Sequence, residues 1–296
     1  MYKSVNILIF FLMFCASGSN IQAKSNYWGF FSHKFINRMA IFSLPDPLRA
    51  FYKIHINYIE VNAVNPDKRR YAVNDEGARH FIDMDTYPDS LLFPSPVYWG
   101  TFKKHIAKSV YNEQGILPWH LRLMKYQLTE AFRSRNTKRI IKLSTEVGHY
   151  LGDANVPLHT TSNYNGQKTN QDGIHGFWES RLPELFSSQY ILLSPPVTYR
   201  PDLDGYVWQN IIEAHAAVDS VLLMEKKISN LLTDDEKYTF EGRGSTLVKT
   251  YSEKFSTLYH TELSGMVERQ MRKSIYLTAT FWFSCWVEAG MPELGK

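Results

Sequence analysis

Five side chains able to ligate a metal fall within the stretch 149–179: His149, Asp153, His159, His175 and Glu179. The pairs His149/Asp153 and His175/Glu179 are spaced i, i+4. On a helix that spacing puts both side chains on one face, one turn apart. Neutral imidazole with carboxylate is a donor set that Zn²⁺ accepts in a catalytic site. Between the two clusters, 160–173 is dominated by Thr, Ser, Asn, Gln and Gly, which is turn chemistry, and reads as a polar loop fit to rim a cleft. Other candidates precede this stretch: His33, five residues after Trp28; Asp67, next to Pro66; and His80, thirteen residues beyond Asp67. A single histidine is more often a core or surface side chain than a ligand. Five histidines and three acids in this order are poorly explained by chance.

The elements that must position these residues read as helices. Apolar positions 35, 36, 39 and 42 follow a helical period, and Leu44-Pro45-Asp46-Pro47 breaks it. Helices are expected over 47–62, 98–113, 119–134 and 136–152, the last delivering His149 and ending near Asp153. Pro88, Pro94 and Pro96 mark 86–97 as a loop. A helix over 174–188 opens with His175 and carries Glu179. A Pro-rich linker at 194–204 precedes helical segments at 205–231, 233–260 and 261–289. No strand alternation or repeat stands out. The run Ile275–Val287 is apolar nearly all round, but Lys273 and Glu288 leave only fourteen uncharged residues between them, short of a bilayer span. It reads as a buried core helix. The fold class expected is all-α, a single domain over 24–296 of eight or more helices.

Composition agrees with a globular protein: 44% hydrophobic and 15% aromatic residues over 296 positions. The formal charge of +4 is mild and unlike the dense basic surface of a dedicated nucleic-acid binder. The N-terminus carries Lys3, an apolar run from Ile7 to Phe14, then small residues up to Ala23. This is the layout of a signal peptide over 1–23, cleaved after Ala23, and it implies export to the periplasm or outside the cell. A lipoprotein anchor through Cys15 is disfavoured, because Phe14 is bulky where a small residue is expected. Cys285 is then alone in the mature chain, so no internal disulfide is available.

Taken together, Trp28-x4-His33, Asp67, His80, His149-x3-Asp153-x5-His159 and His175-x3-Glu179 resemble the trinuclear zinc phosphoesterases, which comprise the bacterial phospholipases C and the single-strand-preferring zinc nucleases. The resemblance covers nearly the whole mature chain and implies three zinc ions per chain in an all-α fold. Asp67, His80, His149 and Asp153 would hold one. Asp153 would bridge to a second, which also takes His33 and the main chain of Trp28. His159, His175 and Glu179 would hold the third and keep an open position. The resemblance further implies a zinc-bound hydroxide attacking phosphorus, with Asp67 as the catalytic carboxylate that orients the water or takes its proton. In the family the Trp nitrogen is a free α-amino group. Cleavage after Ala23 would leave four residues ahead of Trp28, so further trimming would be needed to free it.

The substrate expected is a phosphodiester. Glu179 as last ligand, the short gap before His175 and the Asn163-Tyr164 pair favour a phospholipid. Trp28-x4-His33 and the run Arg79-His80-Phe81-Ile82-Asp83 keep single-stranded nucleic acid as the alternative. A non-catalytic protein whose zinc only fixes the fold is the reading from another class. No obligate protein partner is evident. Phe81, Tyr164, Phe177 and Trp178 are the aromatics that could meet substrate, with core the favoured reading for Phe81 and Phe177.

Overall fold

The computed structural model describes residues 30–243 and 246–295. The expected signal peptide, Cys15 and Trp28 fall outside the described residues. In chain order the helices are α1 (Phe30–Ala40), α2 (Leu48–Ile54), α3 (Ile56–Asn62), α4 (Asn65–Arg69), α5 (Asp89–Leu92), α6 (Trp99–His105), α7 (Lys108–Gln114), α8 (Leu117–Arg133), α9 (Thr137–Asp153), α10 (Ile174–Gly176), α11 (Leu182–Phe186), α12 (Leu203–His215), α13 (Val218–Ser229), α14 (Asp234–Lys237), α15 (Glu253–Glu262) and α16 (Met266–Glu288). A single antiparallel hairpin, β1 (Tyr238–Arg243) with β2 (Thr246–Tyr251), interrupts them. The fold is all-α with this one small sheet.

Several expected helices are broken. The segment 98–113 divides at Ile106, which is extended (φ −122°, ψ 124°). The segment 47–62 divides at His55 (φ −103°, ψ 10°), with no proline or glycine to mark the break. The segment 205–231 divides at Ala216 and Ala217. The expected helix over 233–260 is the largest correction. Only α14 and α15 are helical, and 238–251 is the hairpin. Its aromatic and β-branched residues (Tyr238, Phe240, Val248, Tyr251) around an Arg-Gly-Ser-Thr centre carry the strand signal. Thr233 and Glu236 form a capping box that starts α14, and Ser252 accepts from Phe255 N to start α15.

The helix α16 runs through the core as expected, burying Ile275, Leu277, Phe281, Trp282 and Cys285. No described helix is long and apolar enough to cross a membrane. Trp282 stacks on Tyr52 at 4.7 Å, with the rings 6° from parallel. Its indole donates to Ser144 O at 3.0 Å, and the Tyr52 hydroxyl meets Ser144 Oγ at 2.7 Å. One buried polar knot thereby joins α2, α9 and α16, satisfying the groups that burial would otherwise penalise.

On its other side α9 meets α1. Gly148 and Gly152, one turn apart, leave α9 without side chains along this seam. A Cβ on Gly148 would lie 1.8 Å from Asn37 Oδ1, and one on Gly152 would lie 2.9 Å from His33 Nδ1. Asn37 uses the close approach to donate to Thr145 O at 2.9 Å. The helix that carries His149 and Asp153 is therefore held on one flank by an indole and on the other by an amide. Replacing Trp282 with alanine removes both the stack and the indole donor. We expect Trp282→Ala to lower stability by about 3–5 kcal/mol in urea denaturation; a loss under about 1 kcal/mol would contradict the central role of this knot.

Candidate metal centre

Helix α1 brings His33, α4 brings Asp67, and the turn after a 3₁₀ segment (Gly77–Arg79) brings His80. Helix α9 supplies His149 and Asp153 from its last turns, with Asn136 capping its start by accepting from Arg139 N. A 3₁₀ turn, Pro157–Thr160, carries His159. His175 lies in α10, and Glu179 lies in a π-helical segment, Phe177–Arg181, rather than in a regular α-helix. Such widened turns are frequent at functional sites. The Ser32 hydroxyl donates to Glu179 O at 3.0 Å and ties the π segment to α1. All eight candidates among the described residues converge, although they come from five distant stretches of chain.

Asp153 is the centre of the cluster and is 1% exposed. Its Oδ2 lies 3.0 Å from His80 Nδ1 and 3.4 Å from His149 Nε2. Its Oδ1 lies 3.3 Å from His33 Nε2 and 3.7 Å from His159 Nε2. Asp67 Oδ1 stands 3.7 Å from His149 Nε2 and 3.8 Å from His80 Nδ1. Glu179 Oε2 is 2.8 Å from His175 Nε2 and 3.2 Å from His159 Nε2, while its Oε1 is 3.5 Å from His33 Nε2. The two groups that the sequence sets apart, one around Asp153 and one around Glu179, thus adjoin through His33 and His159.

The ring orientations are those that metal ligation requires. His149 Nδ1 donates to Ala63 O at 2.9 Å, His159 Nδ1 to His80 O at 2.8 Å, and His175 Nδ1 to Tyr164 O at 3.2 Å. With Nδ1 occupied as a donor, each Nε2 faces inward, and in the neutral ring it carries the lone pair that a metal would take. Four sets of three donors lie close enough to share an ion: His33/Asp67/His149, His80/His149/Asp153, His159/His175/Glu179 and His33/Asp153/Glu179. The residues fit zinc by their chemistry, since imidazole nitrogens and carboxylate oxygens are packed against one another, with Arg70 reaching only Asp67, at 3.5 Å from Oδ1.

Electrostatics shows what the donors do in the protein alone. Burial opposes protonation of His33, but its contact with Glu179 and the charges of Asp153 and Asp67 prevail and raise its pKa to about 9. His159 behaves alike: burial is outweighed by Asp153 and Glu179, and its pKa also rises to about 9. Burial and the neighbouring His33 push His149 down to about 3. Burial would raise the carboxyls of Asp153 and Glu179, yet the surrounding imidazoles hold both well below the usual range. Two buried carboxylates demand positive charge, and protons on His33 and His159 are a substitute for it.

Residues that the sequence did not single out surround the ligands. Glu76 is fully buried and receives Arg69 at 3.0 Å, Arg79 at 2.7 Å and the Tyr150 hydroxyl. Its Oε1 lies 3.9 Å from His80 Nε2, the ring nitrogen turned away from the cluster. The spacing of four between Glu76 and His80 was the available signal. Asp85 organises the 160–173 loop by accepting from Ser162 N, Ser162 Oγ and Thr161 Oγ1. Asp83 is 8% exposed, and burial beside Asp85 raises its pKa to about 7. Phe177 and Trp178 are buried, so both belong to the core, and Phe81 is half-buried. Tyr164 is 52% exposed, with its ring centre 6.2 Å from that of His175, and remains on the rim.

No family model matches the chain, and no curated protein matches it. Among solved structures it is similar to the alpha toxin from Clostridium absonum, with a TM-score of 0.47 and 13% identity. That match covers 86% of this chain and 63% of the toxin chain.

Two outcomes are expected. Gly152→Ala pushes a methyl group against His33 and should weaken metal retention while helix content stays unchanged; equal metal affinity by competition with a chelator would refute the close-approach argument. In metal-free protein, His33 and His159 hold protons up to about pH 9 when folded, against 6.5 for an ordinary histidine. The stability this gives is complete below pH 6.5 and lost as pH rises toward 9. The melting temperature of chelated protein should fall across that window; a flat profile would count against the protonated pair.

Proposed function

We propose that the chain is a zinc-dependent phosphodiester hydrolase of the phospholipase C type. The observation that carries this reading is the single cluster of five imidazoles and three carboxylates, with three of the imidazoles locked by backbone carbonyls so that Nε2 faces inward. His80, His149, Asp153 and Asp67 would hold one zinc, Asp153 and His33 a second, and His159, His175 and Glu179 a third. Trp28 is proposed as a further ligand of the second. Bound zinc supplies Lewis acidity, which brings the pKa of a coordinated water toward neutrality and offsets charge on phosphate oxygens.

The protein's own residues supply position and proton handling. Asp67 has a side chain 22% exposed, against 1% for Asp153, so it reaches the cluster from the solvent side. In this reading it would orient the attacking water or accept its proton. His175, 25% exposed, marks the other end of the open side, facing Tyr164. A purely structural metal site would be closed on all sides, and this openness argues against that reading.

A phospholipid is favoured over nucleic acid by Glu179 as the last ligand, the short gap before His175, the Asn163-Tyr164 pair and a formal charge of only +4. Tyr164 is an exposed ring that could stack a base, and it keeps a single-strand-preferring nuclease as the alternative. We further propose export through the 1–23 signal peptide to the periplasm or outside the cell; mass spectrometry of the mature N-terminus tests this and shows whether Trp28 is freed.

The deciding assay offers zinc-loaded protein phosphatidylcholine, single-stranded DNA and bis-p-nitrophenyl phosphate. Hydrolysis of the first and third is expected. No turnover of any of them would sink the enzyme reading, and DNA cleavage without lipid turnover would reverse the substrate order. His159→Ala should lose roughly one zinc per chain and most of the activity. Unchanged zinc content in that variant would refute the ligand assignment.

A further inference from the structure

A cavity of about 710 Å³ opens between α6, α8 and α9 and is lined by no residue of the 160–173 loop. Its relation to the metal cluster is set by Tyr150. The ring of Tyr150 packs edge-on to His80 at 5.2 Å and edge-on to His120 at 4.6 Å, and His120 lines the cavity. The cavity therefore lies beyond Tyr150 and shares no ligand residue with the metal centre.

Its walls combine cations with exposed aromatic rings. Arg69, Arg79, Arg122, Arg139 and Lys142 all line it. The carboxylates that pair with them are Glu76, Glu146 and Asp204. Five cations against three acids leave the cavity positive. The surplus is located: Arg139 and Lys142 are exposed and have no carboxylate partner among the described residues. Arg122 is committed, with its Nε on Asp204 at 3.2 Å, its guanidinium over the Tyr98 ring at 5.2 Å and its Nη1 buried. Beside these donors, Tyr98 is 75% exposed and Tyr126 is 60% exposed.

We propose that this cavity is a second binding site, separate from the metal cluster, for a small phosphorylated molecule that carries an aromatic portion. Guanidinium groups match the oxygens of a phosphate in pairs, and uncommitted N–H donors are what such a group would engage. A phosphate without a ring would leave Tyr98 and Tyr126 facing water. A ring without a phosphate would leave the excess positive charge unmet. The volume is in the range of ordinary ligand pockets. This assignment stands whether or not the metal cluster hydrolyses phosphodiesters.

Phenyl phosphate is a minimal probe, with inorganic phosphate as its comparison, both titrated calorimetrically into the zinc-loaded protein. Saturable binding of phenyl phosphate is expected, tighter than that of inorganic phosphate. The double variant Arg139→Gln/Lys142→Gln, at two exposed positions that bear no packing, should weaken it by about tenfold or more, in keeping with the loss of charge-assisted hydrogen bonds. Tyr126→Ala should weaken phenyl phosphate and leave inorganic phosphate unchanged. His175→Ala, in the metal cluster, should leave this binding intact. Any of three results would overturn the proposal: no saturable binding, equal affinity for the two probes, or loss in His175→Ala with none in the double variant.

Discussion

A carboxylate buried to the last per cent of its surface is the constraint on which the rest of this structure turns. Asp153 sits at the end of α9 with four imidazole rings around it, and Glu179 repeats the problem a few ångströms away. Taking such ions out of water costs several kcal/mol each unless opposite charge accompanies them. The chain alone meets the demand unevenly, by protonating His33 and His159 while keeping His149 neutral. Divalent cations would meet it evenly and release every imidazole lone pair. The same buried charge that makes the cluster costly on its own would make a loaded one favourable, and metal binding would then be coupled to folding through one residue.

Holding that carboxylate in place is a matter of helix packing. The stretch from Ser144 to Asp153 is fixed to α16 and α2 by Trp282 and Tyr52, and to α1 by the glycine seam. His33 stacks on His149 at 3.9 Å only because α1 comes this close. The π segment then offers Glu179 from a third direction, with its backbone held by Ser32. Candidate ligands from distant parts of the chain meet because the elements that carry them pack directly on one another. On the opposite side of Tyr150 lies the positively charged cavity, so one tyrosine separates it from the cluster.

Much of the centre was legible in the sequence, and for a clear reason. The i, i+4 pair His149/Asp153 lies on a regular helix, where spacing converts directly to proximity. His175/Glu179 carried the same mark, yet the helix there is widened to a π turn; the pair still meets, at 2.8 Å, by a geometry other than the one assumed for it. Glu76 escaped notice because its spacing of four from His80 falls in a turn, where spacing does not convert to proximity as it does on a helix. The hairpin at 238–251 escaped because its alternation is short and lies between strong helix signals. The breaks at His55 and Ile106 have no proline or glycine to announce them, and only tertiary packing decides them.

The outer support of the cluster is made largely of main chain. Ala63, His80 and Tyr164 orient three ligand rings through their carbonyls and not through their side chains. Tyr164 in particular grips His175 by its backbone while its side chain stays in solvent. A carbonyl is present whatever residue occupies the position. A substitution at Ala63 or Tyr164 that keeps the backbone path would therefore leave the carbonyl that orients the neighbouring imidazole in place.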